Sequence, residues 1–118
     1  MSRRTERVAD VLREELARVL RREAHDPRLA LVTVTRVEVS PDLGQARVFW
    51  SCLEAKGAPS AEAAQVALEA AAPFLRKRLA EALELRRVPQ LGFRFDTALS
   101  GGDSTLALLR ELGDAAKK

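Results

Sequence analysis

The chain has one cysteine, one histidine and no tyrosine in 118 residues. Its single cysteine, Cys52, cannot form an internal disulfide, so a reducing compartment, the cytoplasm, is the expected location. No cysteine or histidine pair has zinc-site spacing, and no Walker-type or dinucleotide-binding glycine motif occurs. No apolar run approaches the roughly 18 residues of a membrane span, and no signal-peptide pattern is present. We therefore expect no metal, no cofactor and no membrane partner.

Residues that could form a catalytic site are equally scarce. His25 stands beside Asp26-Pro27 and is expected to be a solvated side chain at the negative end of a helix. Cys52 falls on the apolar face of a predicted strand and is expected in the core. No nucleophile can be matched with a base and an orienting partner. We therefore predict that the protein is not an enzyme and has no small-molecule substrate. A small α+β enzyme is kept as a third hypothesis, which requires a deep polar pocket.

Arginine supplies most of the positive charge, with 16 of the 20 basic residues and a formal net charge of +3. Guanidinium groups match phosphate oxygens and stack on bases better than lysine does. Residues 74–94 contain six basic and two acidic residues, a local charge of +4 that leaves the remainder slightly acidic. Composition alone does not decide for RNA, because the lack of Asn and Ile also fits genome composition or thermal adaptation.

The first 26 residues predict an amphipathic helix. Apolar residues recur at steps of three and four, and Ser2 or Thr5 could cap a helix that runs to about Ala24. The stripe consists of Val8, Val11, Leu12, Leu16, Val19 and Leu20. Glu14 is expected to pair with Arg18 at i+4, and Asp26-Pro27 should end the helix.

Residues 29–53 predict an antiparallel hairpin. The segment 29–39 is rich in β-branched residues, and the segment 45–53 alternates apolar and polar side chains. Ser40-Pro41-Asp42-Leu43-Gly44 between them has the composition of a turn. The short connection makes the two strands antiparallel neighbours.

Pro73 divides the next helical pattern, which Ser60 is predicted to cap. Because Pro73 lacks an N–H and its ring would clash with the carbonyl of Glu69, the helix must bend or restart there. A new helix start would expose free amides and a partial positive charge, and Arg76-Lys77-Arg78 follows within one turn. The corner Ala71-Ala72-Pro73 therefore predicts a phosphate-binding site. The alternative is a kinked helix with a solvated basic face.

The last part of the chain predicts a third strand over 91–95 and a short helix that carries Leu106, Leu109 and Leu112. The tail 113–118 is expected to be disordered. Residues 1–112 should then form a single α+β domain, a three-stranded sheet with helices packed on one face. The order α-β-β-α-kink-α-β is that of the type II KH-like RNA-binding module. The usual Gly-x-x-Gly loop is missing, which favours recognition of folded RNA shape and phosphates.

Short motifs follow one another in a specific order along this predicted domain. They are Arg7-Val8, Glu15-Leu16, Asp26-Pro27-Arg28-Leu29, Val37-Glu38-Val39-Ser40, Asp42-Leu43, Phe74-Leu75-Arg76, Leu85-Arg86, Val88-Pro89, Leu91, Phe93 and Asp96. With this order and spacing, roughly residues 4–112 resemble the ribosome-binding factor A family. In that family the helix pair bends at an Ala-x-Gly corner. Ala71 fits the pattern, and Pro73 stands where Gly is usual.

The resemblance implies a non-catalytic, KH-like protein of ribosome biogenesis. It implies binding to the free 30S ribosomal subunit through 16S rRNA and support of late maturation, including 5′-end processing. It further implies a role in cold adaptation and departure before translation begins. We expect a cytoplasmic monomer.

The basic residues are the candidate RNA contacts under this first hypothesis. The predicted contacts are Arg76, Lys77, Arg78, Arg86 and Arg87, extended by Arg4, Arg7, Arg18, Arg22 and Arg28. The second hypothesis is a permanent ribosomal or protein-docking component, in which the alanine-rich helix and a sheet edge meet another protein. Sedimentation separates the two, since a permanent component stays with translating 70S ribosomes.

Overall fold

The computed structural model describes residues 3–23, 25–53 and 57–96. Its elements are helix α1 (Arg3–Arg22), a 3-10 turn (Pro27–Leu29), strands β1 (Val32–Val39) and β2 (Gln45–Cys52), helix α2 (Ala61–Leu83) and strand β3 (Gln90–Phe95). The predicted C-terminal helix and tail lie outside the described residues, as do Ser2 and Ala24.

The sheet has the strand order β1-β2-β3, with β1 and β2 antiparallel and β2 and β3 parallel. Both helices pack on one face, where their apolar residues meet Val48 and Trp50 of the central strand. This arrangement confirms the predicted hairpin and the α+β, KH-like class. The β1–β2 register shifts between Val34 and Arg36, so Thr35 forms a bulge. The Thr35 hydroxyl donates a hydrogen bond to the Asp96 carboxylate over 2.6 Å.

Helix α1 forms because its apolar residues repeat at helical spacing and cover the sheet. Most of the predicted stripe is buried, but Val11 is 46% exposed and lies at the margin of the buried face. Thr5 was predicted as a cap and is instead buried inside the first turns of α1. Arg18 pairs with Glu15 at i+3 rather than with Glu14, since Glu15 is the carboxylate that reaches its guanidinium.

The first strand begins three residues later than predicted, at Val32. Asp26 caps the 3-10 turn by accepting a hydrogen bond from the Arg28 amide over 2.9 Å, and Pro27 occupies its first position. Proline fits this position because its missing N–H would be unpaired there in any case. The turn buries Leu29, which the sequence pattern had assigned to the strand.

Helix α2 runs without interruption from Ala61 to Leu83, with Pro73 in its interior. The Ser60 cap is confirmed, since its hydroxyl accepts a hydrogen bond from the Ala63 amide over 3.1 Å. The predicted second helix start at Pro73 is wrong. A single apolar stripe continues across the proline from Leu68 to Leu75 and holds both halves on the sheet. Pro73 itself lies on the exposed side, where water can reach the carbonyl that loses its donor.

A buried polar contact fixes α2 against the sheet. The Trp50 indole N–H, fully buried, donates to the Gln65 side-chain oxygen over 2.8 Å. The Gln65 amide nitrogen donates to the Phe93 carbonyl over 2.9 Å. The Phe95 ring meets Trp50 edge-on, with centroids 5.0 Å apart. Cys52 is half-buried against this core.

Candidate RNA interface

The outer edge of α1 presents four of the predicted RNA contacts on one side. At about 100° per residue, Arg4, Arg7, Arg18 and Arg22 fall within about 60° of one another around the helix axis. Arg4, Arg7 and Arg22 are exposed, and no ion pair joins them to a described residue. The helix as a whole has seven arginines and four acidic residues, a net charge of +3. Its outer edge therefore carries a row of cations in two pairs, Arg4 and Arg7 in the first turns and Arg18 and Arg22 in the last, about three turns apart.

Arg18 is the one member of this row that is held by a neighbour. Its Nε donates to the Glu15 carboxylate over 3.0 Å, and this hydrogen bond lowers the pKa of Glu15. The same contact raises the pKa of Arg18. A phosphate would have to compete with the carboxylate for this guanidinium.

The segment Arg76-Lys77-Arg78 is divided between opposite flanks of α2. Arg76 and Arg78 lie about 160° apart around the helix axis. The Arg76 guanidinium donates to the carbonyls of Val88 over 3.0 Å and Pro89 over 3.2 Å. It therefore fastens the loop between α2 and β3 rather than facing a common ligand.

Arg78 points the other way, toward α1. Its guanidinium lies 3.0 Å from Glu23 and 3.6 Å from Glu81, and 5.5 Å from the centre of the Phe74 ring. Lys77 is exposed between the two flanks. The structure does not bring the three cations together, and the continuous helix provides no second set of free amides beside Ala71, Ala72 and Pro73. Whether α2 bends at this corner stays a prediction.

The Arg78–Glu23 ion pair nevertheless links α2 to the C-terminal end of α1, close to other basic residues. Glu23 directly follows Arg22, so the pair sets the end of the α1 row beside the 76–78 segment. We call this combined area the helix-side basic surface. It comprises Arg4, Arg7, Arg18, Arg22, Lys77 and Arg78.

The remaining predicted contacts lie at two other places. Arg28 forms a bidentate pair with Asp26, with nitrogen–oxygen distances of 3.0 and 2.6 Å, and this pair lowers the pKa of Asp26. Arg86 and Arg87 are exposed in the loop between α2 and β3. Hydrogen bonds from the Ser40 hydroxyl and the Gly44 amide lower the pKa of Asp42, with a smaller contribution from Arg87.

Sequence reasoning missed a basic area on the sheet face that the two described helices leave uncovered. Arg36, Arg47 and Arg94 share this face with the Phe49 ring, and the Arg36 guanidinium carbon lies 3.8 Å from the ring centre. The signal was present in β2, where Arg47 and Phe49 alternate with buried residues. Tertiary pairing was needed to show that Arg36 and Arg94 flank Phe49.

His25 is exposed and Cys52 is half-buried. Within residues 3–23, 25–53 and 57–96, no group of three potential metal ligands occurs. Neither of the α-helices described there could span a bilayer.

Comparison with known proteins identifies the family of this chain. The family model described as ribosome-binding factor A matches residues 4–109. A ribosome-binding factor A from Pseudomonas entomophila is 45% identical over 106 residues, which cover 90% of this chain and 80% of the relative.

Solved structures show the same relationship. The crystal structure of ribosome-binding factor A from Thermus thermophilus aligns with a TM-score of 0.66 at 30% identity, covering 75% of this chain and 92% of that one. A Thermus thermophilus ribosome-binding factor A homology model, fitted into a cryo-electron-microscopy map of a 30S complex, aligns with a TM-score of 0.67 at 29% identity. That alignment covers 81% of this chain and 99% of the neighbour. The chain belongs to the ribosome-binding factor A family.

Proposed function

We propose that this protein is a non-catalytic assembly factor that binds the free small ribosomal subunit through 16S rRNA phosphates. In this role it supports late maturation of the subunit, including 5′-end processing of 16S rRNA and growth in the cold. It acts in the cytoplasm as a monomer, and residues 1–112 form its single RNA-binding domain. The Thermus thermophilus relative fitted into a map of a 30S complex supports this partner.

The row of cations along α1 is the observation that carries the proposal. A cation that is not in an ion pair can neutralise a phosphate and release its counterion, whereas an ion-paired one must first give up its partner. Six predicted contacts are exposed and have no ion pair to a described residue: Arg4, Arg7, Arg22, Lys77, Arg86 and Arg87. We assign most of the electrostatic binding to these six.

The other four predicted contacts have defined partners within the chain. Arg18, Arg28 and Arg78 are paired with carboxylates, and Arg76 is bound to backbone carbonyls. They contribute less to RNA binding than the unpaired cations. Arg76 acts mainly by setting the loop that presents Arg86 and Arg87.

Sedimentation with purified ribosomal particles tests the partner. The protein is expected to pellet with free 30S subunits and to be absent from translating 70S ribosomes. A permanent ribosomal component would remain with the 70S fraction, and that result would contradict the proposal. In cells that lack the protein, 16S rRNA with unprocessed 5′ ends should accumulate, and primer extension measures it.

A matched pair of triple variants tests the interface. Arg4→Ala, Arg7→Ala and Arg22→Ala together remove three unpaired charges. The control variant removes three paired ones, at Arg18, Arg28 and Arg78. The first should lose more 30S binding than the second at equal net charge, with circular dichroism confirming that both are folded. Equal losses would show that unpaired charge along α1 is not what binds the subunit.

A further inference from the structure

The sheet has one face that the described helices leave uncovered. Its residues come from all three strands, because side chains directly opposite each other in register share a face. We call this surface the open sheet face. It comprises Arg36, Glu38, Arg47, Phe49, Gly92 and Arg94. Val48 and Trp50, which alternate with Arg47 and Phe49, are buried beneath the helices on the other side.

A groove of about 760 Å³ runs along the hairpin end of this sheet, lined by residues of all three strands that include Arg47, Gly92 and Arg94. Gly92 lies opposite Arg47 in the β2–β3 register. A Cβ atom built on Gly92 would meet nothing within 4 Å. The missing side chain therefore leaves open space on β3, across the ladder from Arg47.

The charge of the open sheet face is complementary to an anion. Arg36 and Arg47 outnumber the one carboxylate that lies near both of them, Glu38, which leaves a net charge of +1 among these three residues. Glu38 lies 2.6 Å from Arg36 and 3.6 Å from Arg47, so one carboxylate is shared between two guanidinium groups and cannot neutralise both. The Arg47 side chain remains 56% exposed.

The same face also provides a platform for stacking. The Arg36 guanidinium carbon lies 3.8 Å from the Phe49 ring centre, a cation–π contact. The Arg36 side chain is 53% exposed, so its guanidinium still presents a surface to solvent. Unpaired RNA bases stack on aromatic rings and on arginine planes, whereas bases inside a duplex are not available for stacking.

We propose that the open sheet face binds single-stranded RNA. Arg47 holds a backbone phosphate in the groove above Gly92, and a neighbouring base stacks on the Arg36–Phe49 pair. This site is separate from the helix-side basic surface, because the helices lie on the opposite side of the sheet. The inference deepens the proposed function, on which it rests, by naming unpaired rRNA as a second ligand class of the same protein.

Binding of a fluorescein-labelled oligouridine of about ten nucleotides, measured by fluorescence anisotropy, tests the inference. Gly92→Glu places a carboxylate in the groove, and its control Ala70→Glu adds the same charge on the exposed face of α2. We expect Gly92→Glu to weaken binding about tenfold or more, equivalent to roughly 1.4 kcal/mol, and Ala70→Glu to change it less than twofold. Gly92→Gln separates bulk from charge and should give an intermediate loss.

Arg47→Ala provides a test that does not depend on filling the groove. Losing one phosphate contact should reduce the salt slope of oligouridine binding by about 0.7 log units per decade. An unchanged slope, equal losses in Gly92→Glu and Ala70→Glu, or equal competition by an RNA duplex would each overturn the inference.

The two proposals fail in different ways. A wild-type protein that sediments with 30S subunits but does not bind oligouridine contradicts this inference and leaves the proposed function standing. A protein that binds oligouridine but does not sediment with 30S subunits contradicts the proposed function instead. The open sheet face would then bind RNA, but the protein would not be a 30S-binding factor.

Discussion

Replacing Gln65 with leucine should destabilise the domain strongly although no cavity of consequence is created. Gln65 is 4% exposed and lies between the indole N–H of Trp50 and the carbonyl of Phe93, at 2.8 and 2.9 Å. Leucine has a similar volume and can pack between α2 and the sheet. It offers neither an acceptor for the Trp50 indole N–H nor a donor for the Phe93 carbonyl.

The magnitude follows from the two buried groups left without partners. A buried donor or acceptor that loses its partner costs about 1 to 3 kcal/mol. Trp50 is fully buried, and the leucine gains some apolar burial. We therefore expect Gln65→Leu to cost about 2 to 4 kcal/mol in unfolding free energy. For a domain of this size the melting temperature should fall by about 10 °C or more.

A double-mutant cycle with Trp50→Phe isolates the hydrogen bond. Far-ultraviolet circular dichroism in urea measures all four proteins, because Trp50 is the only tryptophan and its fluorescence disappears in two of them. Trp50→Phe removes the donor that Gln65→Leu leaves unpaired, so the double variant should be at least about 1 kcal/mol more stable than additivity predicts. Additive losses would refute the reasoning.

Three further predictions concern the elements that carry the site. Ser60→Ala should lower the free energy of unfolding in urea by about 1 kcal/mol, because the α2 cap is lost. Ser60→Asp should keep most of the stability of the wild-type protein, because a carboxylate can also cap the helix. The folded-state pKa of Asp42 is lowered, first by the hydrogen bond from the Ser40 hydroxyl, so its contribution to stability is present above its unfolded pKa and is lost as the pH falls through the folded-state pKa. Asp42→Asn should therefore reduce the acid-side loss of stability in urea titrations, and an identical pH profile would contradict this. Pro73→Ala should raise the free energy of unfolding by about 1 to 3 kcal/mol, because Pro73 lies inside the continuous helix α2. If a second helix started at Pro73 instead, the substitution would lower the free energy of unfolding or leave it unchanged.

Local pattern predicted most of the fold because the determinants lie close together in sequence. The stripe of α1, the hairpin and the Ser60 cap each depend on residues within a few turns of one another. The start of β1 was misplaced because the Asp26 cap and Pro27 favour a turn that β-branched composition does not reveal. Thr35, at the bulge, is hydrogen-bonded to Asp96, which lies 61 residues away in the sequence.

The candidate interface was only partly predictable for the same reason. A sequence shows where cations are, but their availability depends on tertiary partners. Arg78 is ion-paired with Glu23, directly after the end of α1, and Arg76 is hydrogen-bonded to carbonyls of the loop between α2 and β3. Pro73 suggested a helix start because the local rule is strong. Burial of Leu75 on a continuous stripe nevertheless outweighs the lost hydrogen bond.

The salt dependence of binding to purified 30S subunits tests the central claim most directly. If four to six unpaired cations neutralise rRNA phosphates, the logarithm of the association constant should fall with the logarithm of salt with a slope of about −3 to −5. Replacing Arg4, Arg7 and Arg22 with alanine should flatten that slope by about two to three units. A wild-type slope near zero, or a slope that the three substitutions leave unchanged, would contradict the account.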